Sequence, residues 1–141
     1  MSTLVLGYDG SPSANAALAK TIELAPALGA AVVVVFGYYL SPLGGGDVRD
    51  FKERLEGIAS HEVARAVADL DAAGIETSSR ILAIKPAEAI LAVADEVDAA
   101  MIVVGTVGEN PISGALLGSV VLKLVQRSSV PLLVVPTTEI S

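Results

Sequence analysis

Two glycine-bearing loops hold the residues of this chain best suited to chemistry. The first, Gly7-Tyr8-Asp9-Gly10-Ser11, follows an apolar run at the N-terminus. The second, GTVGENPISGALLGS from Gly105 to Ser119, places Gly105, Gly108, Gly114 and Gly118 between the apolar run AAMIVV and a helix-like segment. Glycine costs backbone entropy and adds nothing to a core, so the cluster needs a reason. Either it makes a tight strand-to-helix turn, or it brings backbone N–H groups close to a phosphate. Asp9 cannot bind a phosphate. Beside a glycine-lined anion site its carboxylate would accept a ribose hydroxyl or help hold a metal ion. It suits a turn and helix cap equally well, and Ser11 reads as an N-cap before it reads as a nucleophile.

Other candidates carry less. The lone His61 falls on the polar side of a long helical segment, and without a second histidine neither a catalytic triad nor a His-based metal site has support. No cysteine is present, which excludes disulfides and thiolate metal sites and fits a cytoplasmic protein. The net charge is −7, from 16 acidic and 9 basic residues. That balance argues against nucleic-acid binding, which rests on basic groups. A polyanionic ligand would have to be held by backbone dipoles. The longest apolar run, AAVVVVFGYYL, falls short of the roughly 18 to 20 residues of a membrane span, and no signal-peptide pattern opens the chain. GYDGS also lacks the Gly-x-Gly-x-x-Gly order of a dinucleotide oxidoreductase. Gly44 to Gly46 interrupt a flexible loop with no strand directly before them; a lid over the site is their sharper reading.

The elements that must position these loops alternate strictly. TLVLGYD, AVVVVFGYY, IETSSRILAI, AAMIVVG and VPLLVV read as strands. Between them lie a helix opening at Pro12, which Pro26 should kink or end early, and a long helix from about Asp50 to Ala73. Phe51, Leu55, Ile58, Val63, Val67 and Leu70 form the long helix's apolar stripe. A third helix starts at Pro86 and a fourth spans about Gly114 to Arg127. Such alternation predicts an α/β sandwich with a parallel sheet, in one domain of 141 residues. Ligands then sit beyond the carboxyl ends of the strands, where the winding reverses.

At this level the chain resembles the universal stress protein family over essentially its whole length. LVLGYDGSPSANAAL is similar to the family's first strand, Asp-Gly-Ser turn and first helix, and KPAEAILAVADEVDAAMIVVG to its third helix and fourth strand. The loop spacing, Gly105-x2-Gly108-x9-Gly118-Ser119, resembles that of the family's ATP-binding branch. The resemblance implies an adenine-nucleotide alpha-hydrolase-like fold with strand order 3-2-1-4-5, and a cytoplasmic stress-response protein. It implies ATP or another adenine nucleotide across strands 1 and 4, with Mg2+ as an ion that could accompany the phosphates. Gly7, Tyr8 and Asp9 would border adenine and ribose, and Tyr38 would lie over the base. Val104, Gly105, Thr106 and Gly108 would line the ribose-phosphate path. Gly118, Ser119 and Val120 would turn N–H groups toward the phosphates.

One departure stands out. Where relatives often carry a basic residue, this chain has Val107, Gly108, Glu109, Asn110 and Pro111, which favours a less charged nucleotide such as AMP or cyclic AMP. Two function classes follow: a nucleotide-sensing regulatory protein, or a dimeric interaction module that binds no nucleotide. Neither requires catalysis, since no water-activating base or basic phosphoryl clamp is evident. The sheet edges differ as well. The third strand carries Glu76, Ser78, Ser79 and Arg80, whereas the fifth, Val130 to Val135, is uncharged and invites antiparallel pairing into a homodimer. The resemblance implies the same dimer. No membrane or nucleic-acid partner is expected.

Overall fold

The computed structural model describes residues 1–39, 48–107 and 117–137. Its apolar runs become β1 (Ser2–Gly7), β2 (Ala30–Gly37), β3 (Thr77–Leu82), β4 (Met101–Gly105) and β5 (Leu132–Val135). They form one parallel sheet in the order β3-β2-β1-β4-β5. The reversal lies between β1 and β4, as the opening pair of loops requires. Four helices cover the sheet among the described residues: α1 (Pro12–Leu28), α2 (Val48–Ala72), α3 (Pro86–Glu96) and α4 (Ser119–Arg127).

Side-chain alternation along each strand divides the core in two. Leu4, Leu6, Val32, Val34, Phe36 and Val103 face α1 and α2. Val5, Val33, Val35, Ile102 and Val104 face α3 and α4. A strand buried on both sides must be apolar throughout, which is why β1 and β2 show no polar alternation. Full burial of a Val or Leu contributes about 1.5–3 kcal/mol, so truncating Leu6, which is wholly buried, should cost about 2–5 kcal/mol.

Three expectations need correcting. Pro26 does not shorten α1: it falls in the last turn, and the helix runs on to Leu28 before Gly29, at φ 62°, caps it in the left-handed region. The buried line of α2 passes through Ala59, Val63, Ala66 and Leu70, while Phe51 and Ile58 remain exposed. The apolar stripe drawn from large residues alone missed the alanines that pack against the sheet. Finally, α4 begins at Ser119, not near Gly114, because Gly118 is its extended N-cap at φ −75° and ψ 165°. Among the described residues, no helix is long and apolar enough to cross a membrane.

Candidate functional site

At the carboxyl edge of the sheet, β1 gives way to the turn that starts α1. Gly10 takes φ +80°, and the Ser11 N–H donates to Asp9 Oδ1 at 3.0 Å. Ser11 Oγ then accepts the Ala14 N–H at 3.1 Å, a side-chain cap on the first turn of α1. Asp9 and Ser11 thus play the turn and cap roles open to them, and Asp9 also lines the cleft.

On the other side of the reversal, β4 ends at Gly105 and its loop returns to α4. The Gly118 N–H donates to the Thr106 carbonyl at 2.7 Å, drawing together the two ends of the glycine-rich loop. Gly118 has no side chain, so α4 carries no side-chain cap. The first N–H groups of a helix have no partner four residues back, and Gly118, Val120 and Val121 at the start of α4 line a cleft. Helix α3 also lacks a side-chain cap, but it begins with Pro86, which has no N–H. Its start is packed against β2: a Cβ on Gly37 would stand 2.8 Å from Pro86 Cα.

Between these helix starts lies an open cleft with about 530 Å³ of free space, part of it continuous with solvent. Gly7, Tyr8 and Asp9 line one side, Val104 and Gly105 the floor, and Gly118 and Val120 the start of α4. Thr106 and Ser119 adjoin these residues in the chain. Gly108 lies outside the described residues, as do Glu109, Gly114 and the proposed lid at Gly44 to Gly46. Among the described lining residues Asp9 carries the only formal charge. No group of three His, Cys, Asp or Glu that could hold a metal stands among the described residues.

Tyr38 is seated elsewhere. It shares the face of Val34 and Phe36, packs into the α1/α2 core, and donates its hydroxyl to Glu56 Oε1 at 2.8 Å. Burial, then the Glu56 bond and charge, pushes its phenol above the ordinary value. Tyr8 likewise packs in that core and donates its hydroxyl to Asn15 Oδ1 at 2.6 Å, while also lining the cleft. Burial raises the Tyr8 pKa, against an opposing pull from Arg65. Val35, Gly37, Pro86 and Ile90 also wall the cleft. Sequence reasoning passed over these four, although alternation along β2 puts Val35 and Gly37 on the face opposite Phe36. His61 is exposed on α2.

The arrangement defines an open α/β sheet with an anion-favouring helix start beside a carboxylate, at the position where such sheets bind ligands. Comparison with known proteins narrows the class. The model of the universal stress protein family matches residues 1–136. A universal stress protein of Mycobacterium tuberculosis is 31% identical over 145 residues, covering 96% of this chain and 97% of the relative. Among solved structures, a universal stress protein in complex with cAMP is 32% identical, with TM-score 0.70 and coverage of 97% and 98% of the two chains. Another, from Archaeoglobus fulgidus in complex with dAMP, is 28% identical, with TM-score 0.68 and coverage of 96% and 97%. This chain belongs to the universal stress protein family.

Proposed function

We propose that this chain binds an adenine nucleotide, with ATP, AMP and cyclic AMP as the candidate ligands, and acts as a regulatory binding protein in a stress response. The observation that carries the reading is the uncapped start of α4 facing a cleft whose opposite side holds Asp9. Phosphate oxygens would take the N–H groups of Ser119 and Val120, and the Ser119 hydroxyl. The N–H of Gly118 is already given to Thr106, so Gly118 contributes open space and not a donor. Ribose would lie near Asp9, and adenine toward Val35, Gly37 and Pro86. Tyr38 has no place over the base in this arrangement. Complexes of relatives with cAMP and dAMP support the ligand class. Mg2+ would arrive with the phosphates, since the described residues build no cage for it.

Calorimetry with ATP, AMP and cyclic AMP tests the reading. The parent should bind at least one of them, and Gly118→Val should block the approach to α4 while the fold persists. No binding by the parent, or equal binding by both proteins, would favour the interaction module without a nucleotide.

The second part of the proposal is a homodimer through residues 130–135. In β5, Leu132, Leu133 and Val134 are only half-buried on an uncharged edge, and Leu122 and Val125 of neighbouring α4 are exposed. Pairing two such edges about a two-fold axis would satisfy their backbone and cover the apolar surface. Val134→Pro should remove a mid-strand donor and yield monomer or aggregate. Sedimentation showing the parent as a stable monomer at micromolar concentration would reject the dimer.

A further inference from the structure

The glycine at position 105 has a structural reason that no ligand supplies. A Cβ there would stand 2.1 Å from Ser13 Oγ and 2.4 Å from the Ser13 carbonyl oxygen. No side chain tolerates such distances, so the first turn of α1 is pressed against the end of β4. Ser13 is 2% exposed, and its hydroxyl oxygen accepts the Val107 N–H at 3.1 Å, across 94 residues of sequence. The carbonyl of the same peptide unit, that of Thr106, accepts the Gly118 N–H at 2.7 Å. The Thr106–Val107 peptide is therefore gripped from both sides, by the start of α1 through its N–H and by the start of α4 through its carbonyl.

We propose that Ser13 is a positioning residue for the nucleotide site, an inference that rests on the function proposed above. Ser13 is absent from the cleft lining. It acts through the Thr106–Val107 peptide, which it orients and which ties α1 to α4. Without the Ser13 acceptor, the half-buried Val107 N–H loses its partner and the peptide plane is free to turn. The grip on Gly118 then loosens, and the α4 donors move relative to Asp9. The phosphate end of a ligand should feel this change and the base end should not.

The test compares AMP and adenosine binding to the parent, Ser13→Ala and Ser13→Cys by calorimetry, at a temperature where all remain folded. Amide exchange at Val107 is followed alongside. Losing one half-buried hydrogen bond should weaken AMP about five- to tenfold in Ser13→Ala. Cysteine, a weaker acceptor of similar size, should give a smaller loss if the alanine variant proves too unstable to measure. Adenosine affinity should hold, and Val107 exchange should accelerate. Unchanged AMP affinity in a variant that only melts earlier overturns the inference, as does an equal loss for adenosine. If the parent binds neither AMP nor adenosine, ATP and cyclic AMP take their place in the comparison. A parent that binds none of the four defeats the nucleotide reading itself, and this inference with it.

Discussion

Two helices start at the same edge of the sheet, on either side of the β1–β4 reversal, and their N-termini are finished differently. At α1 the chain supplies its own partners: Asp9 takes the Ser11 N–H, and Ser11 takes that of Ala14. At α4 the N-cap is a glycine with nothing to offer. Its φ of −75° is open to any residue, so backbone strain does not demand a glycine there. Serine or aspartate would serve the helix slightly better, by a few tenths of a kcal/mol. The first helix start is capped by a side chain of its own turn; the second, among the described residues, has no side-chain cap. The comparison tells more than glycine content does, because Gly105 proves to be a packing requirement while Gly118 stands at a φ that any residue adopts.

Giving α4 a cap of its own should break the contrast most strongly. Gly118→Asp places a carboxylate where the phosphate is proposed to sit. Two charge-assisted hydrogen bonds would be lost, so AMP affinity should fall by about a hundredfold or more. Melting temperature should hold or rise slightly. A variant that binds AMP like the parent would show that the start of α4 is not the anion site.

Removing the cap that exists should do the opposite. Ser11→Ala strips α1 of its side-chain bond and should cost about 1 kcal/mol in urea denaturation. AMP affinity should stay within about twofold, since hydrogen bonds of roughly 1 kcal/mol are not being taken from the ligand. A large loss of affinity with little loss of stability would place Ser11 in the site.

The protein-closed side has a further signature in alkali. Burial raises the phenols of Tyr8 and Tyr38 above their ordinary value near 10. A group whose folded pKa lies above its unfolded one stabilises the fold below the unfolded value, and that contribution is lost as pH rises through the folded one. Stability should therefore decline from about pH 10 upward. Replacing both tyrosines with phenylalanine should flatten the decline in a pH series of urea melts, and an unchanged slope would assign it to other groups.

The smallest expected effect concerns Glu109, which lies outside the described residues. Replacing it with Arg supplies a cation in the loop. An exposed charge contact is worth roughly 0.2–1 kcal/mol, so ATP should gain about 1.5- to fivefold over AMP. An unchanged ratio would mean that this side chain points away from the open end of α4.

Much of this contrast was legible in the sequence. Alternating apolar runs dictate the parallel sheet, and the loop spacings mark the two sides of the reversal. Local chemistry also identified Ser11 as a cap, because capping depends on a few adjacent residues. What failed was orientation and reach. The resemblance alone puts Tyr38 over a base, whereas the structure packs it in the α1/α2 core and leaves Val35 and Gly37 lining the cleft. The grip of Ser13 on Val107 needs knowledge of how closely α1 meets β4, and no local pattern carries that distance. Phe51 and Ile58 mislead for a related reason: hydrophobicity proposes a buried face, but the small Ala59 and Ala66 are what let α2 approach the sheet.

Whether the open start of α4 is the anion site can be read at its own amides. An AMP titration followed in backbone amide spectra should produce saturable shifts that are largest at Ser119 and Val120. The Ala14 amide, already held by Ser11, should move little. Shifts confined to the α1 side, or no saturable shift at Ser119 and Val120, would contradict the account.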